Sequence, residues 1–177
     1  MTKTQLKKQL GSLSHDDLVK LLLELYDAKK EAKEFLDYHF EPNEKEKFEE
    51  YKAVIEDEFT PHGRKMEQLR FSVCRKAISD FAALKPSPML QADLMLFLAE
   101  QAAWFTAEFG DMWEQYYISA ANNFKRALVF IEKHDLKNSF MSRIVQCLRW
   151  SDECGWGFPD DMYQAFYDVF NEEPPVS

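Results

Sequence analysis

The chain is predicted to be an all-α protein of about eight helices, on three observations. Apolar residues recur every three to four positions along most of the chain. Only 5 Gly and 7 Pro punctuate 177 residues, and they fall between the periodic segments. Alternating strand-like stretches bounded by turn pairs are absent.

Each element follows from its own signals. A short first helix spans about Thr4 to Leu10 and ends at Gly11. Ser14 then stands as an N-cap, Asp16 and Asp17 lie in the first turn, where carboxylates face the positive end of the helix dipole, and Leu13 is placed to staple against Leu18. The stripe Leu18, Leu21, Leu22, Leu25 opens a long second helix. It continues through Ala28, Ala32, Phe35, Leu36 and His39, unbroken or bent near Asp27, as far as Pro42. Asn43 with Glu46 repeats the capping signature, and Phe48, Tyr51, Ile55 and Phe59 mark a third helix closed by Pro61.

The next helix runs from Gly63 to Lys85, with Met66, Leu69, Val73, Ala77, Phe81 and Leu84 on one face. Pro86-Ser87-Pro88 ends it, with Pro88 at the first position of the fifth helix. That helix is apolar nearly all round, Leu94 to Ala99 above all, which places it in the centre of the fold. Gly110 and Asp111 end it and cap a sixth helix carrying Trp113, Tyr117, Ala120, Phe124, Ala127, Leu128 and Ile131. A seventh follows His134-Asp135 with Leu136, Phe140, Ile144 and Leu148. After the turn Gly155-Trp156-Gly157-Phe158-Pro159, Asp160 and Asp161 lead the last helix, with Met162, Phe166, Val169 and Phe170, and residues 172–177 form a fraying tail.

Composition shifts once, near residue 62. Residues 1–62 hold 10 Lys, no Arg and 15 acids, and every Trp lies beyond them. The expected organisation is therefore a charged N-terminal helical arm (1–62) on an aromatic-rich body (63–171) built as an antiparallel αα-hairpin or superhelical stack, folding as a single unit.

The 22 basic and 31 acidic residues leave a net charge of −9, which disfavours bulk nucleic acid as a partner. The N-terminus lacks the apolar run of a secretory signal, and the most apolar stretch, Met89 to Phe109, is interrupted by Gln91, Asp93, Glu100, Gln101 and Glu108. A cytoplasmic protein without a membrane segment is expected. Cys74, Cys147 and Cys154 form an odd set without CxxC spacing, read as reduced and mostly buried thiols.

No motif supplies chemistry. Paired Glu-x-x-His, GxSxG, P-loop, GxGxxG and HExxH patterns are all missing, and His15, His39, His62 and His134 are far apart near helix ends. No catalytic residue, metal or cofactor is expected. Three features stand out nonetheless. Arg64, Lys65, Arg70, Arg75, Lys76 and Lys85 face only Glu67 and Asp80 within one helix, a basic face for phosphates or an acidic partner. The plainer reading is packing against residues 86–124, which carry Asp93, Glu100, Glu108, Asp111 and Glu114 and no basic residue. Glu100, set in the apolar helix, is a buried general acid or base, or else the partner of an Arg such as Arg70 or Arg75. Trp150, Trp156, Phe158, Tyr163 and Tyr167 cluster around a turn whose two glycines either present the Trp156 indole for recognition or fold it inward as a plug.

The cap Leu13-Ser14-His15-Asp16-Asp17-Leu18, the segment Phe40-Glu41-Pro42-Asn43-Glu44, the closure Ile55-Glu56-Asp57-Glu58-Phe59-Thr60-Pro61 and the turn Gly155-Trp156-Gly157-Phe158 resemble a family of bacterial all-helical proteins of unknown function. The resemblance spans most of the chain and implies a bacterial, cytosolic, all-helical protein. It brings no activity, cofactor or catalytic residue.

These features favour a non-enzymatic helical interaction module that holds a protein or peptide partner or a second copy of itself. The alternatives are a nucleic-acid-binding protein using the basic face of residues 64–76, and an enzyme with an unrecognised pocket around Glu100.

Overall fold

The computed structural model describes residues 1–60, 69–155 and 157–175, and every regular element among them is a helix. In chain order these are α1 (Lys3–Leu10), α2 (His15–Ala28), α3 (Lys30–Phe40), α4 (Glu44–Phe59), α5 (Phe71–Ala83), α6 (Pro88–Phe109), α7 (Glu114–Lys133), α8 (Lys137–Ser151) and α9 (Phe158–Phe170). They form two compact units that divide between Asn43 and Glu44. The division precedes the compositional shift near residue 62 because α4, for all its charge, packs on α5 and α6.

In the first unit, Thr2 and Gln5 cap α1 reciprocally, the Thr2 hydroxyl accepting from the Gln5 amide and the Gln5 side chain from the Thr2 amide. Ser14 caps α2 as its sequence position implies, accepting from the Asp17 amide at 3.1 Å and donating to the Asp17 carboxylate at 2.6 Å. The long second helix, expected to run unbroken to Pro42 or to bend near Asp27, does part close to Asp27: at Lys29 an extended backbone (φ −135°, ψ 117°) separates α2 from α3 and raises the helices among the described residues to nine. The two pack together, tied by the Tyr26 hydroxyl donating to Asp37 at 2.8 Å and by the Lys33 ammonium shared between them. Neither α1 nor α2 buries a side chain, and α3 buries only Tyr38.

The second unit is built around α6, which packs against α4, α5, α7 and α8, as its all-round apolar surface predicts; α9 lies on α7 and α8. Leu94, Leu96, Leu98 and Phe105 are fully buried, each contributing roughly 1.5–3 kcal/mol of burial free energy. Phe59 sits between Phe71 and Phe105 at ring distances of 5.9 and 6.0 Å, and Phe71 continues to Tyr116 at 5.2 Å. This edge-to-face chain links α4, α5, α6 and α7.

Three expectations are corrected here. The helix placed from Gly63 begins only at Phe71 among the described residues, because Leu69 has φ 49° and Arg70 has ψ 85°, neither of which continues a helix; Gly63, Arg64, Lys65 and Met66 lie outside the described residues. Asp111 does not cap α7, whose N-cap is Trp113 without a side-chain bond. Nor is the segment after α9 free to fray as far as Pro174: Glu172 pairs with Lys137 at 2.6 Å and Pro174 is buried.

Candidate functional site

The residues singled out by sequence do not converge. On the basic face, Arg64 and Lys65 lie outside the described residues. Arg70 is consumed by Glu58: its guanidinium donates to both carboxylate oxygens at 2.6 to 3.2 Å, and its backbone amide adds a bond at 2.9 Å. Glu58 is 2% exposed, and the hydrogen bonds from Arg70 hold its carboxyl below the usual carboxylate range against the opposing pull of burial. Arg75 and Lys76 are exposed on α5, and Lys76 pairs with Asp80 at 2.5 Å. The expected neutralisation of this helix by residues 86–124 is therefore corrected for Arg70 and Lys76, whose carboxylate partners lie on α4 and α5 themselves.

Glu100 does have an arginine partner, but it is neither Arg70 nor Arg75. Arg143 of α8 grips both Glu100 oxygens at 2.6 Å and places its third nitrogen 2.7 Å from Asp93. Asp93 and Glu100 stand two turns apart on α6 and so share the face that α8 covers. The Phe140 ring lies 5.5 Å from the same guanidinium, whose own pKa is pushed up chiefly by the bond to Glu100. Cys147 is buried, and desolvation, with the Glu100 charge second, raises its thiol well above the ordinary value. With both oxygens held by one guanidinium fork, Glu100 serves as a clamp between α6 and α8.

The aromatic group is split. Phe158 is fully buried, 4.9 Å from the Tyr117 ring, and is a core side chain of the second unit. Trp150 and Tyr163 are half-buried, Tyr167 is exposed, and Trp156 lies outside the described residues. Burial raises the Tyr163 phenol, and its bond to Asp152 raises it further. The two glycines of the turn have different reasons. Gly157 adopts the left-handed conformation (φ 70°) as the N-cap of α9, whereas a Cβ on Gly155 would come 3.1 Å from both Asp111 carboxylate oxygens. Asp111 accepts from the Gly155 amide and the Tyr117 hydroxyl, each at 3.0 Å, and Thr106 meets that hydroxyl at 2.9 Å. The cluster ties the α6–α7 corner to the α8–α9 turn.

Among the described residues no group of three or more His, Cys, Asp or Glu is arranged to hold a metal ion, and no helix is long and apolar enough to cross a membrane. A groove of about 230 Å³ between α7 and α9, lined by Ile118, Asn122, Lys125 and Asp161 among others, is smaller than a typical ligand site. The Lys125 ammonium bonds Asp168 there at 2.6 Å.

A feature that the sequence did not mark as a site is the leucine stripe of α2. Leu21, Leu22 and Leu25 are 44, 49 and 46% exposed, and Leu18 completes the stripe half-buried. The signal was present: four leucines at i, i+3, i+4 and i+7 lie in a segment with few other apolar side chains to cover them.

Geometry and fold together define an all-helical protein with a closed helical core and a small helical unit bearing an uncovered leucine face. By sequence, the chain belongs to a family of unknown function, DUF6155, whose pattern matches residues 1–171. No curated protein matches it, and no solved structure does.

Proposed function

We propose that this protein is a non-enzymatic helical interaction module, with the leucine face of α2 as its docking surface and the unit from Glu44 onward as its scaffold. The observation that carries this reading is the exposure of Leu21, Leu22 and Leu25 in a unit where Tyr38 is the one buried residue among those described. Helices of 8, 14 and 11 residues are marginal in water without tertiary burial, so an uncovered stripe on one of them favours a partner that covers it. The stacked-hairpin arrangement of the scaffold belongs to the same reading, supported by α6 packing on both α7 and α8 and by α9 packing on α7. So does a bacterial, cytoplasmic setting, in which its three free cysteines stay reduced.

The alternatives fare less well. Nucleic-acid binding through residues 64–76 is weakened because two of its cations, Arg70 and Lys76, are already met by Glu58 and Asp80, although Arg75 stays exposed on α5. Catalysis at Glu100 would require breaking the Arg143 clamp.

The test is affinity capture of tagged chain from its native cell, comparing wild type with Leu21→Glu/Leu25→Glu. Wild type should retain a protein, an untagged copy of the chain included, that the variant loses. Identical capture by both, or a nucleic acid or small molecule tightly held by both, would refute the reading.

A further inference from the structure

We infer that the corner where α6 turns into α7 is a docking surface for a basic, arginine-bearing segment of another protein. The corner belongs to the second unit, so this inference is independent of the α2 reading and either can fail while the other stands. It rests on two exposed rings held in place, on the open backbone between them, and on carboxylates that no cation of the chain meets.

Phe109 and Trp113 are 54 and 55% exposed. Each is fixed by rings beneath it: Phe109 lies 4.7 Å from Phe105 and 5.8 Å from Trp104, and Trp113 lies 5.6 Å from Tyr116. Phe105 and Tyr116 are the two ends of the buried chain that runs through Phe59 and Phe71, so both exposed rings lead back to one aromatic core. Rings held in this way lose little conformational freedom when a partner covers them. Between them stands Gly110, where a Cβ would meet nothing within 4 Å, so the backbone that separates the rings is open to approach.

Charge decides what the partner is. Residues 86–124 hold no Lys or Arg. Of the acids in that stretch, Asp93 and Glu100 are held by Arg143. The others, Glu108, Asp111 and Glu114, flank the two rings and are exposed. Asp111 accepts only from neutral donors, the Gly155 amide and the Tyr117 hydroxyl, and among the described residues none of the three is in an ion pair. An apolar surface edged by unmatched carboxylates selects a cationic partner and repels an acidic one.

Neighbouring elements add to this excess. The α8–α9 turn, which Asp111 grips through Gly155, brings Asp152 and Glu153: burial raises the Cys154 thiol and the charges of Asp111, Glu153 and Asp152 raise it further, so all three lie within electrostatic reach of one sulfur. On the α4–α5 side, Glu58 and Arg70 answer each other. The other cations at these helix ends are Arg75, one turn beyond Phe71, and Arg149, one turn before Glu153, against the five carboxylates just named. Arginine suits the surface better than lysine, because its flat guanidinium stacks on a ring and forks onto a carboxylate at once, whereas an ammonium is a point charge. The chain itself uses that combination where Arg143 meets Phe140 and Glu100.

Fluorescence anisotropy of fluorescein-labelled octa-arginine, titrated with the purified full chain at about 0.15 M salt, tests this. Wild type should bind octa-arginine several-fold tighter than octa-lysine of the same charge, and less tightly as salt rises. Phe109→Ala/Trp113→Ala keeps every carboxylate and should weaken octa-arginine binding about tenfold. Glu108→Gln/Glu114→Gln keeps both rings and should weaken it about as much while flattening the salt dependence. It is the independent variant if circular dichroism shows that the ring variant misfolds. Asp27→Asn/Glu31→Gln removes the same charge from the first unit and should bind as wild type does. Octa-arginine held no tighter than octa-lysine, or held equally by wild type and the corner variants, or lost equally in the first-unit control, would mean undirected attraction to an acidic chain and would overturn the inference. Absence of binding would overturn it too, as would self-association of wild type that the ring variant abolishes, which would make a second copy the occupant.

Discussion

Glu58 joins the last turn of α4 to the entry of α5 through both its side chain and its backbone: its carboxylate takes three donors of Arg70, and its carbonyl accepts from the Leu69 amide at 2.9 Å. That amide bond helps hold Leu69 in the left-handed conformation, which costs a non-glycine residue roughly 1–2 kcal/mol. Because the folded state holds the Glu58 carboxyl below its ordinary value, its contribution is present above the unfolded pKa of about 4.3 and is lost as pH falls through the lower folded value. Glu58→Gln should therefore have a lower urea midpoint than wild type at neutral pH, and the gap should close below about pH 4. A gap that is constant with pH would mean that the ion pair contributes nothing. The Arg143 clamp gives a second expectation. Arg143→Ala leaves Asp93 and Glu100 without their shared cation and should cost about 2–4 kcal/mol, discounted from the fully buried case because the guanidinium is about a third exposed. Gly157→Ala should cost about 1 kcal/mol for the left-handed backbone alone, since nothing lies within 4 Å of the added carbon.

At the scale of elements, α6 and α2 are opposites. Both are rich in leucine, yet α6 is enclosed by four neighbours while the α2 stripe remains exposed. Leu96→Ala should thus lower the stability of the second unit by about 2–5 kcal/mol, and Leu22→Ala should leave it unchanged to within about 0.5 kcal/mol. Tryptophan fluorescence during urea unfolding reads this unit selectively, because all four Trp lie beyond residue 62. Helix identity was legible in the sequence because apolar period and caps act locally: Ser14 caps α2, Pro88 opens α6, and the apolar belt of α6 put it at the centre. Boundaries set by backbone angles were not legible. Lys29 carries no breaker signature, so the sequence offered a bend near Asp27 only beside an unbroken helix, and Leu69 and Arg70 turn where the apolar pattern runs straight on. Side-chain pairings were legible in kind and not in partner. An arginine for Glu100 was foreseeable, but choosing Arg143 over Arg70 needed the knowledge that α8, and not α5, covers that face of α6. Three of the segments that carry the family resemblance contribute long-range ties: Glu44 accepts from the Ser87 amide, Glu58 holds Arg70, and Gly155 donates to Asp111. Their work is architectural, which is why they suggested a fold and no reaction.

The whole molecule joins a stable unit to a marginal one. The second unit has a continuous core of aromatic and leucine side chains, whereas the first depends on burial that its own residues hardly supply. Hydrogen exchange of the dilute purified chain separates the two most directly. Amides of α6 should remain protected, because their protection reflects the core of one chain. Amides of α2 should exchange quickly, because one chain alone leaves its leucine face uncovered. Equal and lasting protection of α2 would contradict the account, showing that one chain alone covers its leucine face.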